Sequence, residues 1–181
     1  MKESARAMQR GICVNRLYPT QSSGKIQRII HRVSFIMKLF RETDWKGFGS
    51  ENMSRVFMLK PADGIEGVKQ AVIRAVKDAG PNACPPMVIG VGIGGTFEKC
   101  ALLAKKALTR ELGSHSEIPY VKDFEIEVLE AINNLGIGPG GLGGRVTAIG
   151  LNVETYPTHI AGLPVAVNIC CHVNRHITRV L

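Results

Sequence analysis

The sequence predicts a single α/β domain of mixed α+β type, with central strands flanked by amphipathic helices. Three observations carry that prediction. Stretches with apolar residues at helical spacing alternate with short, continuous apolar runs. Glycine-rich segments punctuate the junctions between them. No apolar run approaches the ~20 residues that a membrane helix needs, so no membrane partner is expected. A chain of 181 residues with 45% apolar content can bury about 70% of its unfolded surface in one core.

The N-terminal segment obeys different statistics. Residues 1–46 hold ten Lys/Arg against three Asp/Glu, whereas residues 47–181 hold thirteen against twelve. The formal charge of +8 therefore belongs almost wholly to the first quarter. Ile26, Ile29, Ile30, Val33, Ile36, Met37 and Phe40 fit one helical face, but basic residues fall on every turn and no cap is visible. Residues 1–45 are expected to be an irregular, atypical basic leader, frame-shifted or misassigned, ahead of a domain at 46–181. Because the excess charge is confined to it, a nucleic-acid partner is not expected. The N-terminus also lacks an apolar signal core.

From Ser50 onward the local signals agree. Asp63 is placed to cap a helix over 64–79 whose Ile65, Val68, Val72 and Val76 share one face before Gly80 stops it. Met87 to Val91 reads as a buried strand, and Thr96 as the cap of a helix running to Leu112 with Cys100, Leu103, Ala104, Ala107 and Leu108 inward. A third helix is expected between Asp123 and Gly136, turning Ile126, Leu129, Ile132 and Asn133 inward. Six glycines crowd the nine residues Gly136–Gly144, which suits binding or an unusual turn. Val146 to Val153 and Pro164 to Cys170 read as further strands.

Five cysteines at irregular spacing do not make a secreted disulfide framework, so a reducing, cytoplasmic setting is expected. Cys84 stands out, in Asn82-Ala83-Cys84-Pro85-Pro86. The prolines fix φ and remove two amide donors, and a cysteine followed by proline recurs at iron–sulfur clusters. Cys170 and Cys171 lie in an extended segment, so only one of them can face a given site. The Gly-rich turn after Val91 invites a phosphate-site reading, but it lacks Gly-Lys-Ser/Thr, and Phe97 stands where Gly-x-Gly-x-x-Gly ends. A carboxylate-binding or packing turn fits better. His159 can serve as an acid or base near neutrality. His172 and His176 would make a metal pair only on a helix.

Six motifs, in order, carry a resemblance. They are Lys46-Gly47-Phe48-Gly49-Ser50-Glu51-Asn52-Met53-Ser54, Ala83-Cys84-Pro85-Pro86, Gly90-Val91-Gly92-Ile93-Gly94-Gly95-Thr96, Gly136-Ile137-Gly138-Pro139, Pro157 through Asn168, and Cys171-His172-Val173-Asn174-Arg175-His176. Over residues 46–181 the chain resembles the alpha subunit, or N-terminal catalytic domain, of iron–sulfur-dependent class I fumarate hydratases and the related L(+)-tartrate dehydratases. The resemblance implies a 4Fe–4S cluster held by three cysteines, with one iron open to a hydroxy-dicarboxylate. It assigns Cys84 and Cys171 as cluster ligands, His159 as a proton-transfer residue and Gly49 as a backbone contact to substrate. It implies reversible hydration of fumarate to L-malate, or the L(+)-tartrate reaction, by an oligomer completed by a beta subunit that carries the swivelling domain.

Two departures stand against full activity. The family's first cluster cysteine lies in a Cys-Gln-Asp-Thr-Gly motif upstream of the glycine loop, and here only Cys13, in Gly11-Ile12-Cys13-Val14-Asn15, offers a sulfur. Phe48 also replaces a glycine. A non-catalytic remnant or partner-binding subunit is therefore the rival expectation.

Overall fold

The computed structural model describes residues 42–45, 47–173 and 175–178; residues 1–41 of the expected leader, Cys13 among them, lie outside. Thr43–Ile177 is one of two units in the chain, the other comprising Met1–Glu42 and Thr178–Leu181. Glu42–Trp45 (β1), at the end of the segment expected to be irregular, is a strand paired with Arg175–Thr178 (β6). His176 is thus in a strand, and the helical His172/His176 pair does not form.

The main sheet has four strands, Arg55–Leu59 (β2), Met87–Gly94 (β3), Ala148–Tyr156 (β4) and Leu163–Cys170 (β5), in the order β2-β5-β3-β4. β3 runs parallel to β4, matching Gly94 with Tyr156, and antiparallel to β5, matching Val88 with Cys170 and Ile93 with Val165. β2 lies antiparallel on the far side of β5. The mixed α/β architecture is therefore as the sequence predicts, with β2 as an additional, unpredicted edge strand.

Alternation along the two central strands divides the core. Met87, Ile89 and Val91 of β3, with Val165, Val167 and Ile169 of β5, face one layer of helices. That layer holds Gly64–Ala79 (α2) and Pro119–Asn133 (α4). The opposite face receives Phe97–Ala107 (α3), where Cys100 and Ala104 pack on Ala166, while Leu108 meets Val88 and Cys170. A β-carbon on Gly90 would collide with the Ala104 carbonyl, and one on Gly92 with the Cys100 carbonyl. The glycines of β3 thus let a helix backbone close onto a strand.

The helices adjust the sequence prediction in detail. α2 keeps its expected limits and buries Val68, Val72 and Val76, but Ile65 is exposed. Asp63 does not cap it; its Oδ2 accepts the Lys60 amide at 2.8 Å across the preceding 3₁₀ turn, Pro61–Asp63. α3 stops at Ala107, short of Leu112. Thr96 precedes it without a hydroxyl bond to a helix amide. Glu98's own amide, and then the Thr96 hydroxyl, hold the Glu98 carboxyl below the usual carboxylate range. α4 starts before Asp123 because Pro119 suits the first turn. Its buried face is Val121, Phe124, Val128 and Ile132, which turns Ile126 to solvent, contrary to expectation. Asn133 does point inward, its Oδ1 accepting the amides of Thr147 and Ala148 at 2.8 and 2.9 Å.

β4 is the other edge of the sheet, and a buried ion pair covers it. Glu125 Oε1 accepts the Val153 amide at 2.8 Å and Arg110 Nη1 at 2.8 Å, while the same guanidinium nitrogen reaches the Val153 carbonyl at 3.3 Å. Glu125 Oε2 accepts the Ser116 amide at 3.0 Å. One carboxylate so occupies a donor, the Val153 amide, that an edge strand otherwise offers to a neighbouring chain. Removing one partner of a buried pair costs about 3–5 kcal/mol. Glu125→Ala is therefore expected to lower the unfolding free energy by about that amount, measured by urea denaturation; a loss below about 1 kcal/mol would mean that the pair behaves as a surface ion pair.

Candidate functional site

The antiparallel register of β3 and β5 brings the N-terminal end of one strand beside the C-terminal end of the other, and both conspicuous thiols lie there. Cys84 ends the 3₁₀ turn Gly80–Ala83, its amide donating to the Pro81 carbonyl at 3.0 Å. Its φ of 52° and ψ of 61° are left-handed, a conformation costing an L-residue about 1–2 kcal/mol. The side chain is exposed, and the Pro85–Pro86 peptide that follows is cis.

The six-glycine segment explains how this corner is held. Gly140 donates its amide to the Pro85 carbonyl at 2.9 Å, and a β-carbon on Gly141 (φ 75°) would run into Pro81. The loop folds back on itself through Gly143, whose amide meets the Ile137 carbonyl at 2.8 Å. Turn geometry therefore accounts for these glycines, which support the segment that carries Cys84.

Cys171 follows β5 and is buried, whereas its neighbour Cys170 points to the opposite face against Val88 and Leu108. Only one of the adjacent pair faces the site, as expected. Gly47 passes directly over Cys171, since a β-carbon there would lie 3.2 Å from Sγ. The short helix Phe48–Glu51 (α1) starts at that point, and Ser50 Oγ donates to the Gly47 carbonyl at 2.8 Å. Gly49 is exposed and faces the turn before Cys84; a β-carbon on it would lie 3.9 Å from the Asn82 carbonyl. Phe48 turns its ring to solvent, 78% exposed, so its departure from glycine does not block the loop. His172 Nδ1 lies 3.2 Å from the Cys84 carbonyl and so links the two cysteine segments directly.

His159 is elsewhere. It follows β4, and the C-terminal end of β4 lies beside that of β3, where Gly95 N–H meets the Pro157 carbonyl at 3.2 Å and Thr158 Oγ1 donates to the Gly95 carbonyl at 2.8 Å. The length of β3, about 23 Å at 3.3 Å per residue, separates that end from Cys84. Within one chain the fold thus gathers Cys84, Cys171 and Gly49, and leaves His159 at the opposite end. The Ala161 amide donates to His159 Nδ1 at 3.1 Å, which leaves Nε2 as the proton-bearing nitrogen of the neutral ring.

Among the described residues no group of three or more His, Cys, Asp or Glu is gathered as a metal site. Two thiols on facing segments suit an iron–sulfur cluster in kind, and they are one short of a three-cysteine set. Cys100 is buried behind the sheet, and burial pushes its thiol up, so it is no substitute.

A family model described as fumarate hydratase (fumerase) matches residues 40–180. The chain belongs to the fumarate hydratase family. It is 49% identical over 130 residues to a provisionally named L(+)-tartrate dehydratase subunit alpha of Methanocaldococcus jannaschii, covering 72% of this chain and 46% of that protein. It is 36% identical over 132 residues to the L(+)-tartrate dehydratase subunit alpha of Escherichia coli K12, covering 73% of this chain and 44% of that protein. The chain thus spans less than half the length of these relatives. For a family member of this length, the match covers both cysteine segments and both glycine loops. The approach of Gly47 to Cys171 and the contact of His172 with the Cys84 carbonyl leave no mark in the sequence, because each acts across the fold on a distant segment.

If the left-handed corner is held by its surroundings, Cys84→Gly removes the thiol yet raises the unfolding free energy by up to about 1 kcal/mol. Urea denaturation measures this, and a clear loss of stability would mean that the Cys84 side chain itself holds the corner.

Proposed function

We propose that this chain is the alpha-type part of an iron–sulfur hydro-lyase that interconverts fumarate and L-malate. The observation that supports it best is the convergence of Cys84 and Cys171 beside the bare backbone of Gly47–Gly49. Cys84 and Cys171 would hold a 4Fe–4S cluster, with a further ligand from outside the described residues. When bound, such a cluster supplies an open iron that acts as a Lewis acid toward a hydroxyl group.

The chain's own residues do the remaining work. Gly49 offers backbone that a dicarboxylate can approach without a side chain in the way. Dehydration breaks a C–H and a C–O bond on neighbouring carbons: a base from outside the described residues takes the carbon's proton, the double bond forms, and the hydroxyl leaves as water on gaining a proton. His159, with its proton on Nε2, is suited to protonate the departing hydroxyl and to recover a proton in the hydration direction. Since it lies a strand's length from its own chain's cysteines, we propose that it serves the site of a second copy in a symmetric oligomer. A beta subunit with further substrate-binding groups completes the assembly in this reading.

A second reading, L(+)-tartrate as substrate, is favoured by the names of the relatives at 49% and 36% identity. Anaerobic reconstitution with iron, sulfide and a beta subunit tests both. Bound iron with turnover of fumarate supports the first reading, and turnover of tartrate alone the second. Absence of bound iron would overturn both and leave a non-catalytic subunit.

Mixing separately inactive Cys84→Ser and His159→Gln proteins tests the second-copy arrangement. Random exchange in a symmetric dimer with two sites is expected to restore about a quarter of the parental activity, whereas no recovery after verified subunit exchange means that each chain uses its own histidine.

A further inference from the structure

Glu51 ends α1 and faces both the sheet and α3. Its carboxylate accepts Asn168 Nδ2 at 3.2 and 3.3 Å and Lys105 Nζ at 3.2 and 3.1 Å. Asn168 is buried on β5, three residues before Cys171, and also donates to Ser54 Oγ at 2.9 Å. Ser54 Oγ in turn accepts the Ile169 amide at 3.0 Å. Both ends of the Glu51–Ser54 segment are thereby fastened to the strand that leads into Cys171. At the other end of α1, the Glu51 amide donates to the Gly47 carbonyl at 3.2 Å, which also accepts Ser50 Oγ.

These contacts form one mechanical chain. Lys105 on α3 and Asn168 on β5 hold the Glu51 carboxylate, Glu51 and Ser50 hold Gly47, and Gly47 lies over the Cys171 sulfur. α1 has four residues, too few to be stable as an isolated helix. Gly47 and Gly49 add no side-chain packing. Phe48, the large apolar side chain of the helix, is turned to solvent. Met53, past the end of α1, packs on the core and anchors the segment from that side; within Gly47–Gly49 apolar burial contributes little, and the polar contacts of Glu51 set the position of the loop.

We infer that Glu51 is a positioning residue, locking the Gly47–Gly49 loop over Cys171 through Asn168 and Lys105. It sets how far the loop covers that sulfur and where the Gly49 backbone lies relative to the Cys84 turn. What the loop does once positioned rests on the hydro-lyase reading; what holds it does not.

Peptide-resolved alkylation of the full chain by iodoacetamide tests the lock, since the molecule carries its own references. Cys84 is exposed and reports reagent activity, whereas Cys100 and Cys170 are buried on the α3 face and report opening of the body. Glu51→Ala is expected to speed modification of Cys171 by about tenfold, as a local opening, and to leave Cys100 and Cys170 unchanged. Glu51→Gln keeps an acceptor for Asn168 and is expected to restore most of the protection. Should Glu51→Ala fail to fold, Glu51→Asp, one methylene too short to meet both partners, gives the same comparison. An unchanged Cys171 rate overturns the inference, and so does a parallel rise at Cys100 and Cys170, which would make Glu51 a support of the whole body.

In the reconstituted alpha–beta assembly, Glu51→Ala is expected to raise KM for the dicarboxylate about tenfold with a smaller change in kcat, the pattern of lost ground-state binding. A Cys171 rate that rises while KM stays constant would leave the lock standing and contradict the role given to Gly49.

Discussion

The antiparallel pairing of β3 with β5 is the constraint on which the rest depends. It joins two strands distant in sequence and buried on both faces, and it matches Val88 with Cys170. Because side chains alternate along a strand, a slip of one residue would send Cys170 to the site and Cys171 into the α3 face. The register is fixed by apolar residues on one side and by the close approach of α3 to Gly90 and Gly92 on the other. Which thiol faces the proposed site thus depends on packing on the opposite face of the sheet.

Bare backbone is used in three places for one purpose. At Gly90 and Gly92 it admits a helix, at Gly141 it admits Pro81, and at Gly47 it admits a sulfur. At Gly90, Gly92 and Gly141 a β-carbon would collide with the neighbour, and at Gly47 it would press on Cys171 Sγ at 3.2 Å. The left-handed Cys84 is the opposite case, a residue with a side chain where glycine is the easier choice. Strain of that kind persists where the surroundings over-determine the backbone, and here the Gly136–Gly144 loop and the bond of His172 to the Cys84 carbonyl provide those surroundings.

What the sequence made legible follows the range of the interactions involved. The limits of α2 were readable to the residue because its periodicity and its terminal Gly80 are local signals. α4 was readable as a helix but not in its rotation, since Ile126 and Phe124 are both apolar and only the sheet decides which is buried. β2 escaped notice because it is short and on an edge: its apolar run is only Val56-Phe57-Met58-Leu59, and Val56 and Met58 are exposed. Cys84 and Cys171 were visible as unusual residues, and the fold brings their segments together. The separation of His159 from them was not visible, since twelve residues give no sense of direction until they are known to form a strand. Glu51 and Asn168 lie 117 positions apart, and nothing local links them.

These features describe a body whose two sheet ends carry different parts of a proposed reaction centre, the thiols and glycine loop at one end and a histidine with a defined tautomer at the other. In the proposed centre, register selects Cys171 and not Cys170 to work with Cys84. Titration with Cd²⁺, followed by the ultraviolet thiolate-to-metal band, tests this most directly in the parent and in three single serine variants. Cys84→Ser and Cys171→Ser are each expected to weaken the band, while Cys170→Ser leaves it intact. Loss of the band in Cys170→Ser, with Cys171→Ser unaffected, would contradict that selection.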